Sequence, residues 1–97
     1  MQSNVFEQLE ELYSRWSILD KVGKEMQLER MWQQVTAAYR YLHQVFQSRG
    51  YLTFSESNYA DQIAQMMREL QNQKMKIDHE LANEMLRHLV KMQAKQM

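Results

Sequence analysis

Three ionisable side chains near the C-terminus are spaced so that they could bind a metal ion. Glu80, Glu84 and His88 recur every four residues, which places them on one face of a helix. Two such helices facing each other could hold a metal, but the Glu-x-x-His motif of di-metal carboxylate bundles is absent. Arg87 and Lys91 also add positive charge to this face. We therefore interpret this face as exposed to solvent and stabilised by ion pairs one helical turn apart. We predict no metal site.

Other catalytic chemistry lacks the residues that it needs. The chain has no cysteine, which excludes a thiolate nucleophile, a disulfide framework and a Cys-based zinc site. None of the three histidines stands beside a serine or carboxylate in a recognisable nucleophile pattern. No glycine-rich phosphate loop is present. We expect neither an enzyme nor a bound cofactor.

The segment between Glu29 and Glu56 contains no acidic residue but three arginines, Arg30, Arg40 and Arg49. Together with neighbouring glutamines, they would give their helix a face that hydrogen-bonds phosphates or base edges. Three arginines are a small electrostatic footprint for this purpose. The alternative function is therefore a nucleic-acid-associated subunit of a larger nucleoprotein complex.

Methionine and tryptophan supply the candidate protein-binding residues. Methionine adapts its shape at surfaces that accept varied helices, and the chain has nine. Met66 and Met75 lie off the main apolar stripe, so we expect them to form an exposed patch. Ile77, from the C-terminal stripe, joins the predicted partner-binding set. Trp16 and Trp32 lie on apolar stripes, and we interpret both as core or subunit-interface anchors.

The near-absence of helix-breaking residues predicts that these side chains are carried on helices. The chain has no proline, and its two glycines are Gly23 and Gly50. Apolar residues recur every three to four positions, as one face of a helix requires. The pattern predicts an all-α antiparallel bundle of three or four helices, with a long C-terminal helix or helix pair.

Cap residues predict the first helix. It should start near Ser3 or Asn4, because Asn4 and Glu7 have the spacing of a capping box. Gly23 should lie just past its end, with Lys21 in the last turn. A kinked helix that continues through Gly23 is the other arrangement, because glycine costs only about 1 kcal/mol inside a helix.

A second helix is predicted from Leu28 to Gly50, where the periodicity is strongest. Residues 50–57 form the predicted loop, in which Ser55 or Ser57 would cap the next helix. Three apolar residues of this loop should pack back onto the bundle: Tyr51, Leu52 and Phe54.

The last forty residues admit two arrangements. Either the chain turns at residues 71–74 and Asp78 caps a fourth helix, or one helix runs over about 58–95. The single helix would be roughly 55 Å long, too long for its own chain to cover, and would require a partner. No glycine marks a turn, so we favour the unbroken helix and a homodimer paired through it.

Composition bounds the class of protein. The 97 residues make one domain, 1–97, and their net charge of zero points to neither nucleic acid nor an anionic membrane. A chain this short hides only about 60–65% of its unfolded surface, so a second subunit would help. The first residues do not form a signal peptide, and no stretch approaches a membrane span. We therefore expect a cytoplasmic protein.

Residues 9–16 resemble the Leu-x-x-Leu-x-x-Arg-Trp run of a spectrin-type repeat helix, a resemblance that covers one helix and carries no function. The surplus of apolar side chains and the lack of a catalytic constellation indicate a non-enzymatic protein–protein interaction module. A small adaptor, regulator or chaperone that holds a protein partner or its own copy by helix packing fits this description.

Overall fold

The computed structural model describes residues 4–94. Within them, five helices follow one another along the chain: α1 (Val5–Ser17), α2 (Lys21–Met26), α3 (Leu28–Arg49), α4 (Phe54–Asn72) and α5 (His79–Gln93). The predicted all-α bundle is confirmed, but its described residues form five helices rather than the predicted three or four, because the chain turns both before α2 and after α4. α3 is the longest helix and packs against each of the other four. The Cα atoms span 40 × 35 × 16 Å, so the molecule is flat, about two helix layers thick.

The start of α1 was predicted correctly, but its end was not. The Oδ1 of Asn4 accepts a hydrogen bond from the N–H of Phe6 at 2.7 Å and caps the first turn. The other predicted start, Ser3, lies outside the described residues. α1 ends at Ser17, before the turn that leads to α2. The predicted end at Gly23 and the predicted continuous kinked helix are both wrong.

Gly23 lies inside α2 because Asp20 starts a new helix there. Asp20 is the N-cap of α2, and its Oδ1 accepts a hydrogen bond from the N–H of Gly23 at 2.8 Å. A Cβ at Gly23 would lie 3.2 Å both from this oxygen and from the Cβ of Leu19. The corner between α1 and α2 is therefore tight, and glycine fits it without displacing a neighbour.

α3 has the predicted bounds, and the loop after it is shorter than predicted. Gly50 ends α3 with φ 83°, a left-handed conformation that glycine adopts at little cost. Thr53, rather than Ser55 or Ser57, caps α4, because Thr53 and Glu56 form a reciprocal capping box. Of the three loop residues expected to pack inward, Leu52 is buried, Tyr51 is partly buried and Phe54 is exposed.

The prediction of one helix over residues 58–95 is wrong, since the chain turns after Asn72. Its predicted end near residue 95 lies outside the described residues. Lys74 takes a left-handed φ of 55°. The N–H of Met75 donates to the carbonyl of Leu70, and the N–H of Lys74 donates to that of Gln71, both at 3.0 Å. These two bonds form a Schellman motif.

The turn lets α5 fold back onto its own chain. Asp78 caps α5 by accepting a hydrogen bond from the N–H of Leu81 at 3.0 Å, as the other predicted arrangement required. α5 packs on α3 and α4 and buries its apolar face there. The buried residues are Ala82, Met85, Leu89 and Met92. The apolar face that was expected to pair two copies is therefore covered within one chain.

None of the helices in residues 4–94 has both the length and the apolar character that crossing a bilayer requires.

Candidate functional site

The predicted methionine patch is not a surface. Met66 and Met75 are both buried in the core, and Ile77 is partly buried against it. α4 lies between other helices and buries a broad face that includes Met66. Met75 follows the turn at Lys74, which directs the chain back towards the core. The expectation that these methionines are exposed is wrong: the buried face of α4 is broader than its main apolar stripe, and the turn at Lys74 brings Met75 inward.

The two tryptophans differ in how far they are buried. Trp16 is a buried core residue, and its Nε1 donates a hydrogen bond to the carbonyl of Lys24 at 3.2 Å. The Nζ of Lys24 lies 4.8 Å from the centroid of the same ring. These contacts tie α2 to α1. Trp32 is only partly buried, packed against the core.

The three arginines of the alternative function are not brought together. Arg30 and Arg49 are separated along α3 by about 28 Å, at 1.5 Å per residue. Arg40 is exposed, and Arg30 lies beside Arg15 in a groove between α1 and α3. Arg49 forms an ion pair with Glu56.

The ion pair between Arg49 and Glu56 belongs to the start of α4. The guanidinium of Arg49 also lies 4.9 Å from the centroid of the Tyr51 ring. Burial raises the pKa of Glu56, but hydrogen bonds from the N–H of Thr53 and from Arg49 outweigh burial and hold that pKa below its usual value. Arg49 is therefore committed to the local fold.

Glu80, Glu84 and His88 do not converge. Among residues 4–94, no group of three or more histidine, aspartate or glutamate side chains is arranged to hold a metal ion. His88 instead turns towards α3 and meets Tyr39 and His43. This three-ring cluster was missed in the sequence because it joins two residues of α3 to one of α5, far apart in the chain.

The three-ring cluster is closely packed. The hydroxyl of Tyr39 lies 2.6 Å from the Nδ1 of His88. The rings of His43 and His88 are 5.7 Å apart between centroids, with planes 9° apart, and Tyr39 stacks on His43 at the same distance. Burial, followed by the charge of Glu84, raises the pKa of Tyr39. Both effects favour the neutral phenol.

A second polar contact links α1 to α4. The hydroxyl of Tyr13 donates a hydrogen bond to the carboxylate of Glu69, which also accepts one from Gln73 at 3.0 Å. The hydrogen bond to Glu69, burial and the charge of Glu69 raise the pKa of Tyr13 to about 12. The sequence contains no local signal for this pair.

An exposed apolar surface surrounds the short helix α2. Its four large side chains are Ile18, Leu19, Val22 and Met26, which we call the α2 patch, and their exposed fractions are 85%, 37%, 65% and 78%. α2 buries none of its own residues. The other exposed large apolar side chains are scattered over α3, α4 and α5. Among the described residues, exposed large apolar side chains are therefore most concentrated around α2.

A groove of about 310 Å³ adjoins the α2 patch and shares Leu19 with it. It is lined by Leu12, Arg15, Trp16, Leu19, Gln27 and Arg30. The groove combines apolar side chains with two guanidinium groups. It therefore extends the patch with a more polar surface towards α3.

Ile18, Leu19 and Val22 fall within the first helix that was predicted to end near Gly23. Only the structure shows that they are exposed. No protein-family model, no curated protein and no solved structure matches this chain.

Proposed function

We propose that this chain is a non-enzymatic protein–protein interaction module, of the adaptor, regulator or chaperone kind, that binds through the α2 patch. The observation that carries the proposal is the exposure of four large apolar side chains around a helix that adds nothing to the core. Burying one such side chain contributes about 1.5–3 kcal/mol. Folding of the single chain does not gain this free energy, whereas binding would.

The α2 patch is held in place before any partner arrives. The carbonyl of Lys24 accepts the hydrogen bond from Trp16, which is itself buried, and Asp20 caps the helix. A helix of six residues would not be stable alone. These contacts fix it to α1, which lowers the entropy cost of binding.

The occupant that we propose is a second copy of this chain. Lys21 and Glu25 are one helical turn apart, on the edge of α2 next to Val22. Neither forms an ion pair with another described residue. If two α2 helices pack antiparallel about a two-fold axis near Gly23, Lys21 of each copy lies opposite Glu25 of the other. The patch is thus complementary to itself in charge as well as in apolar character.

The size of the patch sets the expected strength of the dimer. A stable interface buries about 800 Å² on each partner, more than four side chains alone supply. The adjoining groove would have to contribute, and we expect a weak dimer whose population depends on protein concentration.

Light scattering and sedimentation velocity over a range of concentrations test this proposal. The wild-type mass should rise from 11.8 kDa towards twice that value. Met26→Glu places a charge in the patch and should keep the protein monomeric. Val90→Glu, at an exposed apolar position of α5, is the matched control and should behave like the wild type. A wild-type chain that stays monomeric at millimolar concentration would overturn self-association.

A photo-crosslinking residue at position 26 separates self-association from binding to another protein. In the cell, an adduct of twice the chain mass supports the proposal. An adduct with a different protein contradicts the second copy as occupant but is consistent with an interaction module. The control is the same crosslinking residue at position 90, which should give no adduct. If position 26 gives none either, both parts of the proposal fail.

A further inference from the structure

Met26 is exposed at the C-terminal end of α2, whereas every other methionine within residues 4–94 is buried. The side chain of Met26 is 78% exposed, and none of the others exceeds 9%. The buried methionines are Met31, Met66, Met67, Met75, Met85 and Met92. Met1 and Met97 lie outside the described residues. An oxidant dissolved in water therefore reaches the thioether of Met26 more readily than those in the core.

Met26 also lies on the contact face of the α2 patch. It follows Val22 by four residues in α2, so the two side chains share one face of the helix. In the proposed antiparallel pair of α2 helices, this face is turned towards the second copy. A polar group created at Met26 would then be buried against apolar side chains, which costs free energy unless it finds a hydrogen-bond partner.

Peroxide creates such a group from a methionine thioether. The sulfur lone pair attacks one oxygen of hydrogen peroxide, and an S–O bond forms as the O–O bond breaks. The released hydroxide takes the proton from the transferred oxygen and leaves as water. The sulfur loses two electrons, and the peroxide gains them. The product is a polar sulfoxide, which a methionine sulfoxide reductase and a thiol reductant convert back to the thioether.

We propose that Met26 is a site of reversible oxidation by peroxide, and that its sulfoxide releases the second copy from the α2 patch. This inference rests on the proposed function, because it concerns regulation of the same surface. Met26 is exposed in the monomer, so oxidation removes monomer from the equilibrium and draws the dimer apart. The buried sulfoxide should raise the dissociation constant of the dimer at least about tenfold.

Peptide mapping by mass spectrometry, after brief exposure of the protein to hydrogen peroxide, tests the site. Met26 should become sulfoxide before any of the six buried methionines. With peroxide in excess, the rate constant for oxidation of Met26 should fall as the protein concentration rises, because the second copy covers the side chain. The site is wrong if a core methionine such as Met67 reacts as fast as Met26.

Sedimentation velocity of the same samples tests the effect on association. The dissociation constant of the wild type should rise at least about tenfold as Met26 is oxidised, and methionine sulfoxide reductase with dithiothreitol should restore it. Met26→Leu removes this sulfur and keeps the other methionines, so peroxide should not shift its dissociation constant from that of its own untreated sample. Met26→Gln places a polar amide in the patch and should weaken association without any oxidant. Circular dichroism checks that each sample is folded.

The outcomes separate this switch from the proposed function. If the untreated wild type dimerises and complete oxidation of Met26 leaves its dissociation constant unchanged, self-association stands and the switch is overturned. If Met26→Leu responds to peroxide as the wild type does, the effect comes from another methionine and the switch is again overturned. An untreated wild type that stays monomeric would overturn self-association and the switch together.

Discussion

The hydroxyl of Tyr39 on α3 lies 2.6 Å from the Nδ1 of His88 on α5, although 49 residues separate them in the chain. This contact joins the central helix to the last helix of the fold. It fixes the position of α5 relative to α3. The sequence of neither helix alone indicates this contact.

Tyr39→Phe should lower the free energy of unfolding by about 1 kcal/mol, because it removes the part-buried hydrogen bond of a buried side chain and leaves an unpaired imidazole nitrogen. Urea denaturation measures the change. Tyr41→Phe, on the same helix but exposed, is the control and should change stability little. Equal effects in the two variants would show that the contact with His88 does not stabilise the fold.

Lys74→Gly should stabilise the protein by about 1 kcal/mol, because Lys74 has a left-handed backbone that costs a side-chain-bearing residue roughly this much. Thermal unfolding measures the gain. Lys76→Gly, in the same turn but without a positive φ, should instead lose about 0.5–1 kcal/mol through the entropy of the unfolded chain. A loss of stability in Lys74→Gly would contradict the Schellman turn.

Gly50, which ends α3 with a left-handed backbone, provides a second control for the effect expected at Lys74. Gly50→Ala should destabilise by about 1–2 kcal/mol from backbone strain alone, since no atom lies within 4 Å of the added Cβ. Gly50→Asn should lose less, because asparagine tolerates the left-handed region better.

Acid should weaken the start of α4 through Glu56. The folded pKa of Glu56 lies below its unfolded value, so its carboxylate stabilises the fold above the unfolded pKa. This contribution is lost as the pH falls through the folded pKa. The free energy of unfolding of Glu56→Gln should therefore depend less steeply on acid pH than that of the wild type. Glu10→Gln, at an exposed position of α1, is the matched control variant.

Alkali should weaken the contact between α1 and α4 through Tyr13. Its folded pKa is raised from 10.0 to about 12, so the neutral phenol stabilises the fold fully below pH 10.0. This contribution is lost as the pH rises towards about 12. The stability difference between the wild type and Tyr13→Phe should shrink over this window, measured by denaturation at each pH. A constant difference would show that the hydrogen bond to Glu69 is not formed in solution.

Local sequence was enough to predict the helices that have local signals. The absence of proline and the apolar periodicity gave the fold class, Asn4 gave the start of α1, and the segment from Leu28 to Gly50 gave α3. Each of these three features depends on groups within a few residues of one another. Propensity, caps and dipoles act over this range.

The turn at Lys74 was one of two predicted arrangements but not the favoured one, because its cause is partly tertiary. No glycine marks the left-handed position, and a lysine adopts it at a cost in free energy. Burial of Met75 and of the inner face of α5 offsets that cost. Those contacts exist only after the chain has folded back.

The amino-acid sequence determined that this chain is helical, because hydrogen bonding within a helix and its caps depend on near neighbours. Only the tertiary structure decided which apolar faces are covered. It buried Met66 and Met75, left Val22 and Met26 exposed, and brought His43 to His88. These outcomes depend on packing between distant helices, and periodicity identifies an apolar face without identifying what covers it.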